Sequence, residues 1–378
     1  MPLAIDRAHA AQFHPGLLLQ WHVTERCNFR CAHCYQENYA GAELSFEEEL
    51  DVFGQFKDLL KRLGDEKGVP VWGHVTVTGG EPFIRDDFTD LLEVLAADRD
   101  GITFAILTNG SFIDGPMAAR LKALGTRFVQ VSIDGDREMN DALRVPGAYD
   151  AAVAALQHLV REGVRTLISF TASRKNYRDF PTVARLGREL RVTRVWADRL
   201  IPAGQGAAMQ NDMLTPEETR EFFGLMQQAR AEALQSFGRT EIHLGRALQF
   251  LVGGGRPYHC GAGDRLLTLQ PNGDVLPCRR MPIPVGNVKE KSLSEIYFDT
   301  PLLQELRDAD HPIAGCEECA HAAACGGGLR CLSYAVTGSP FNADPGCRHA
   351  RRDSQGVATG VRCPERTGSI PCNEDLPS

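Results

Sequence analysis

The sequence predicts an α/β protein, a partial (β/α)6 TIM-type barrel followed by a small cysteine-rich domain. Two observations predict it. Strand-like and helix-like segments alternate from residue 17 to about 200, and six β-then-α units imply parallel strands joined by crossover helices. Twelve cysteines stand at 27, 31, 34, 260, 278, 316, 319, 325, 331, 347, 363 and 372, so a cysteine-free middle separates two clusters. Two more units would complete an eightfold barrel, and the pattern lacks them, so the barrel is expected to be open.

Residues 17–24, with Trp21 in an apolar run, read as a buried strand. Residues 45–63 read as a helix, because Ser45 and Glu48 make a capping box and Phe46, Leu50, Phe53, Phe56, Leu60 and Leu63 recur at helical spacing. Residues 71–78 are a strand, 87–97 a helix and 102–108 a strand. Residues 116–124 form a helix with its proline in the first turn, where helices accept one. Strands at 128–133, 164–170 and 194–200 then alternate with helices at 148–161 and 180–190. Residues 201–213, rich in Gly, Ala and Gln, read as a mobile excursion, and Thr215-Pro216-Glu217-Glu218 caps a helix reaching about Ser236. The glycines at 253–255 suggest a boundary, and the polar, proline-bearing stretch from about Val357 suggests weak order. The expected domains are an extension at 1–16, the barrel at 17–235, the cysteine-rich domain at 236–350 and a tail at 351–378.

Of 378 residues 43% are hydrophobic, and 41 Lys plus Arg against 49 Asp plus Glu give a net charge of −8. That balance gives no reason to expect a nucleic-acid partner. No apolar run approaches a membrane span, and Asp6 and Arg7 interrupt any signal-like start, so a cytoplasmic protein without a membrane partner is expected. In that setting clustered cysteines read as metal ligands rather than disulfides.

Cys27-Asn28-Phe29-Arg30-Cys31-Ala32-His33-Cys34-Tyr35 places three thiols at C-x3-C-x2-C, just after a strand. Parallel α/β folds put their chemistry at that end of the strands. Three such thiols cannot all pair as disulfides, and a zinc knuckle would show two C-x2-C pairs. Thiolates from one tight loop can hold three corners of a metal cube and leave the fourth metal open, the mark of a catalytic site. The nine residues resemble the cluster loop of the radical SAM enzymes, in which an aromatic residue, here Tyr35, typically follows the third cysteine. The resemblance implies a [4Fe–4S] cluster whose open iron chelates the amino and carboxylate groups of S-adenosylmethionine. Thr78-Gly79-Gly80-Glu81-Pro82 would be only a glycine turn by itself, but one strand later it is similar to the family's motif for the methionyl amino group. That likeness assigns backbone contacts to Gly79 and Gly80 and a supporting role to Glu81. Asn109, Ser132 and Asp134, at the ends of the next two strands, resemble the family's contacts to the methionine carboxylate and ribose; read locally, Asn109 and Asp134 would only cap turns. Arg199 ends the sixth strand and is expected to pair with the cofactor carboxylate or to lie in a surface salt bridge.

The second cluster reads C-x12-G-x4-C from Cys260 through Gly273 to Cys278, then Cys316-x2-Cys319-x5-Cys325-x5-Cys331 and Cys347, with Val285-Gly286-Asn287-Val288 between. Cys316 and Cys319 alone would suit zinc. The whole set resembles the SPASM extension of radical SAM enzymes. The resemblance implies two auxiliary [4Fe–4S] clusters with interleaved ligands: Cys316, Cys319, Cys325 and Cys347 for one, Cys260, Cys278 and Cys331 for an inner one. Five residues separate Cys325 from Cys331 where the family usually leaves three, and Gly326-Gly327-Gly328 are expected to absorb the difference. The inner set lacks a fourth cysteine, which leaves an open iron, His259, Asp264 or a substrate thiol. Cys363 and Cys372 are left over as tail thiols of no function, a late disulfide or extra ligands, the first being favoured.

The implied activity is reductive cleavage of S-adenosylmethionine to methionine and a 5′-deoxyadenosyl radical that abstracts a substrate hydrogen, with an electron donor such as flavodoxin or ferredoxin. Members with this extension often form thioether or carbon–carbon crosslinks in ribosomally made peptides, so a precursor peptide is the first expectation. Only about sixteen residues precede the first strand, so no separate peptide-recognition domain is expected there. Arg279 stands where sulfatase-type maturases carry an acid, which argues against formylglycine formation. The alternatives are tailoring of a small molecule, a tetrapyrrole of the haem d1 type, and a non-catalytic iron–sulfur electron carrier. The open three-cysteine loop and the Gly-Gly-Glu-Pro motif argue against the carrier.

Overall fold

Seven strands follow one another in parallel: β1 (Gly16–His22), β2 (Trp72–Thr78), β3 (Ile102–Thr108), β4 (Val129–Ser132), β5 (Thr166–Ala172), β6 (Arg194–Arg199) and β7 (Glu241–His243). The computed structural model describes residues 16–98, 101–236, 238–255 and 257–351; the expected extension and the tail with Cys363 and Cys372 lie outside them. The first six strands are those the hydrophobic pattern predicts. β7 has only Ile242 as an apolar signal, and it forms because Arg194 to Trp196 of β6 offer it an edge. The sheet therefore runs past residue 235.

The crossovers are α1 (Phe46–Lys67), α2 (Phe88–Ala97), α3 (Gly115–Ala123), α4 (Arg137–Leu143), α5 (Ala148–Arg161), α6 (Phe180–Glu189) and α7 (Pro216–Gln235). At the start of α1, Glu48 N donates to Ser45 Oγ at 3.2 Å and Ser45 N donates to Glu48 Oε2 at 2.8 Å. The same reciprocal cap joins Thr215 and Glu218 at α7. Val52, Phe53, Phe56, Leu59, Leu60 and Leu63 form one buried stripe of α1, each worth roughly 1.5–3 kcal/mol of transfer free energy. Helix α4 was not expected: seven residues are too few for a visible period, and its start is fixed by Asp136, whose carboxylate accepts from Met139 N at 2.9 Å. Residues 201–213 differ from the expected mobile excursion, because Gly204–Asp212 folds into 3₁₀ turns.

Strand alternation makes the interior. In β1, Leu17, Leu19 and Trp21 are buried in the apolar core, while Leu18 and Gln20 line a cavity on the other face. Val75 and Val77 alternate with Thr76, Val129 and Val131 with Gln130, and Val195 and Ala197 with Trp196 in the same way.

The cysteine-rich region continues this sheet. β8 (Leu266–Leu269) pairs in parallel with β1, from Leu18↔Leu266 to Trp21↔Leu269, and β9 (Asp274–Leu276) and β10 (Gly286–Asn287) follow antiparallel. The sheet order is β10-β9-β8-β1-β2-β3-β4-β5-β6-β7. Short helices α8 (Phe250–Gly253), α9 (Leu293–Asp299), α10 (Pro301–Arg307), α11 (Ala322–Cys325) and α12 (Arg330–Thr337) complete the region. Gln55 of α1 accepts from Leu293 N at 3.0 Å, which ties α9 to the barrel. Among the described residues no helix is long and apolar enough to cross a membrane.

Candidate active site

The loop carrying Cys27, Cys31 and Cys34 leaves β1 and lies against the end of β2. Gly80 N donates to Thr24 O at 2.8 Å and Glu81 N to Arg26 O at 2.9 Å, so two backbones meet directly. A Cβ at Gly79 would stand 2.4 Å from Thr24 O, and one at Gly80 2.2 Å from Arg26 O. The paired glycines are thus required by close approach. Gly80→Ala is expected to separate the two segments at a cost of roughly 1–3 kcal/mol. The expected result is a folded protein with reduced iron content after reconstitution; wild-type iron content would contradict it.

Glu81 is wholly buried. It accepts from Thr108 Oγ1 at 2.8 Å, Asn109 N at 2.8 Å and Phe83 N at 3.4 Å, so it joins the ends of β2 and β3. Burial pushes its carboxyl up to about 7, against the opposing pull of those donors. Asn109 Nδ2 donates to Asn28 Oδ1 in the cysteine loop at 2.9 Å. Ser132 Oγ lies 3.2 Å from Ser169 Oγ. The three thiols, Tyr35, Gly79, Gly80, Asn109 and Ser132 line one cavity of about 170 Å3.

Two of the expected cofactor contacts are engaged within the protein itself. Asp134 has no exposed surface; its Oδ2 lies 2.5 Å from Arg144 Nη2 and 3.2 Å from His33 Nε2, and Oδ1 accepts from Thr171 N at 2.7 Å. Burial alone would raise its pKa, but Arg144 and His33 hold it well below the usual carboxylate range. Its role here is to brace the cysteine loop. Arg199, next after Asp198 in β6, borders the same cavity but aims its guanidinium at the cysteine-rich region. There its Nη1 and Nη2 donate to Asp344 at 2.8 and 2.6 Å, and the guanidinium fork is fully engaged.

Sequence reasoning missed Arg144, whose Nη1 lies 3.8 Å from Cys31 Sγ. Its only signal was its place just after a capped, aperiodic turn of helix. The Gly204–Asp212 turns were missed as well. They buttress the loop, with Gly206 N donating to Cys34 O at 2.8 Å.

The later cysteines separate into two groups. Cys316, Cys319, Cys325 and Cys347 surround one small cavity. Gly326, Gly327 and Gly328 all have positive φ, at 62°, 82° and 86°, and turn the chain from that group towards Cys331. Cys260, Cys278 and Cys331 instead open onto a second cavity of about 430 Å3 within the barrel. His259 and Asp264 do not line that cavity; the His259 ring packs on Gly326, and Asp264 lies 3.5 Å from Arg265. The two cavities share Leu107, Gln130, Trp196, Arg279 and Arg280. Arg279 Nη1 donates to the Tyr35 hydroxyl at 2.9 Å, so neighbours of Cys278 and Cys34 touch.

The donor sets fit iron–sulfur clusters. Each brings three or four thiols to one cavity, and burial raises Cys27 to about 11 and Cys325 to about 11, a cost that ligation to a metal removes. His33 Nδ1 and Arg144 Nε are buried beside the first set with no hydrogen-bond partner among the described residues. Cys27, Cys31 and Cys34 would hold one cluster, and the glycine and serine positions around them leave room for a polar cofactor.

Comparison with known proteins agrees with this arrangement. The family described as the radical SAM superfamily matches residues 21–187, and the SPASM iron-sulfur cluster-binding domain matches residues 260–320. The pre-heme d1 synthase of Dinoroseobacter shibae is 30% identical over 374 residues, covering 92% of this chain and 89% of that protein. The mycofactocin maturase MftC of Mycolicibacterium smegmatis is 32% identical over 363 residues, covering 89% and 84%. The solved structure of anSMEcpe with bound AdoMet and Cp18Cys peptide shares the fold, with a TM-score of 0.69 at 19% identity over 89% of this chain and 94% of that one.

Proposed function

This chain belongs to the radical SAM superfamily and carries its SPASM iron–sulfur domain, and from that premise we propose that it acts on a substrate held in the barrel between its first and inner cysteine groups. The [4Fe–4S] cluster and S-adenosylmethionine supply, when bound, a 5′-deoxyadenosyl radical able to abstract a substrate hydrogen. The observation that carries the proposal is that the two cavities abut, sharing Gln130, Trp196, Arg279 and Arg280 in their linings. A molecule in this space has one end beside Ser132 and Ser169 and the other beside Cys260, Cys278 and Cys331. Trp196 Nε1 donates to Gln130 Oε1 at 3.0 Å, which fixes the waist between them.

For the substrate we favour a tetrapyrrole bearing acidic side chains. The flat faces of Trp196 and Tyr258 beside arginines support it, as does the likeness to a pre-heme d1 synthase. The precursor peptide that the sequence put first remains the second reading. It is supported by a groove lined by His22, Gln36, Asn38, Gln270 and Tyr334 that meets the interior at Tyr35 and Arg279, where an extended chain has a way in. The test is incubation of the cluster-loaded protein, under anaerobic conditions, with S-adenosylmethionine and a flavodoxin, ferredoxin or chemical reductant. Release of 5′-deoxyadenosine is expected, and its absence would leave a non-catalytic electron carrier.

A further inference from the structure

Resting on the reading that a substrate occupies the barrel, we propose that Arg246 and Arg280 form a carboxylate-binding subsite for it, with Asp198 as a built-in stand-in for the substrate's acid group. Asp198 faces inward from β6. Its Oδ2 accepts from Arg246 Nε and Nη2 at 3.1 and 2.9 Å and from Arg280 Nη1 and Nη2, both at 3.0 Å. Its Oδ1 accepts from Arg199 N at 3.0 Å. Two guanidinium groups, each with five N–H donors, therefore converge on a single carboxylate oxygen. Arg246 gives one further N–H to the Tyr258 hydroxyl at 3.3 Å.

Both side chains are mostly withdrawn from water, Arg246 at 23% and Arg280 at 15% exposure. Arg280 also lies near Cys278 and Cys331. Arg246 instead turns its face to the rings of Trp196 and Tyr258, 5.4 and 4.8 Å from their centroids. Arg279, close by, bonds the neutral Tyr35 hydroxyl. Arg246 and Arg280 thus share one carboxylate oxygen, and two guanidinium groups on one acid favour an incoming anion. The rings beside Arg246 add a flat apolar wall. The ligand that fits is an aromatic or macrocyclic body bearing carboxylates. A tetrapyrrole acid has this chemistry, and so does a peptide ending in an aromatic residue with a free carboxylate.

Equilibrium dialysis of the cluster-loaded protein tests the subsite. The probes are coproporphyrin III and its tetramethyl ester, and a short peptide ending in tyrosine as the free acid and as the C-terminal amide. At least tenfold tighter binding of the acid in one pair is expected, and the pair that shows it identifies the source of the carboxylate. Arg246→Gln should abolish the preference and Arg246→Lys restore part of it. Asp198→Asn should strengthen acid binding severalfold, because it removes the competing carboxylate; a purely structural ion pair predicts no gain. This variant decides the matter if Arg246→Gln does not fold. Loss of acid preference in both pairs, or no gain in Asp198→Asn, would overturn the subsite. Deoxyadenosine release by the unaltered protein is measured in the same preparations. Release without acid preference overturns the subsite alone, whereas no release overturns the functional reading beneath it.

Discussion

Changing Cys27, Cys31 and Cys34 together to alanine will abolish deoxyadenosine formation and remove about four irons per chain, the content of one cubane cluster. The three thiols sit on one loop at the end of β1, and the other cysteines among the described residues line separate cavities. The remaining iron should therefore persist, held by the groups at Cys260 and Cys316. Iron analysis and electron paramagnetic resonance would follow the clusters, and chromatography would follow deoxyadenosine. The substitution should leave the fold in place, because these thiols are partly exposed and make little of the apolar core. Retained deoxyadenosine formation would sink the assignment of this loop as the catalytic centre.

The second large effect is expected at Asp344. Its carboxylate is completely buried and accepts from both Arg199 Nη groups, from Leu329 N at 2.9 Å and from Gly346 N at 2.8 Å. It therefore joins β6 to the turn after Gly328 and to the loop before Cys347. Asp344→Ala leaves the Arg199 charge buried without a partner, which typically costs about 3–5 kcal/mol. We expect a melting temperature lower by several degrees and loss of the iron held by Cys316, Cys319, Cys325 and Cys347. Asp344→Asn keeps an acceptor and should lose less. An unchanged melting temperature and iron content in Asp344→Ala would show that the pair does not hold the two regions together.

Much of this was legible in the chain. The β1 to β6 strands announce themselves as short apolar runs, and Ser45 with Glu48 and Thr215 with Glu218 announce two helix starts, because caps and periods are local properties. The thiol loop and the two glycines beside it were equally plain, since metal ligation and close backbone approach each demand particular residues. Helix α4 and strand β7 were not legible. One is too short to show a period, and the other takes its conformation from the edge of β6.

The sequence by itself determined the parallel strands, the thiol groups and the glycine motif, because each depends on residues near one another in the chain. Only the tertiary structure decided which side of a strand meets which partner. In β6, Asp198 meets Arg246 and Arg280, residues 48 and 82 positions away, and Arg199 meets Asp344, 145 positions away. The same holds for the interior that joins the first and inner cysteine groups. It exists because β8 pairs with β1, and a strand pairing across some 250 residues is set by the packing of the whole sheet rather than by any local pattern.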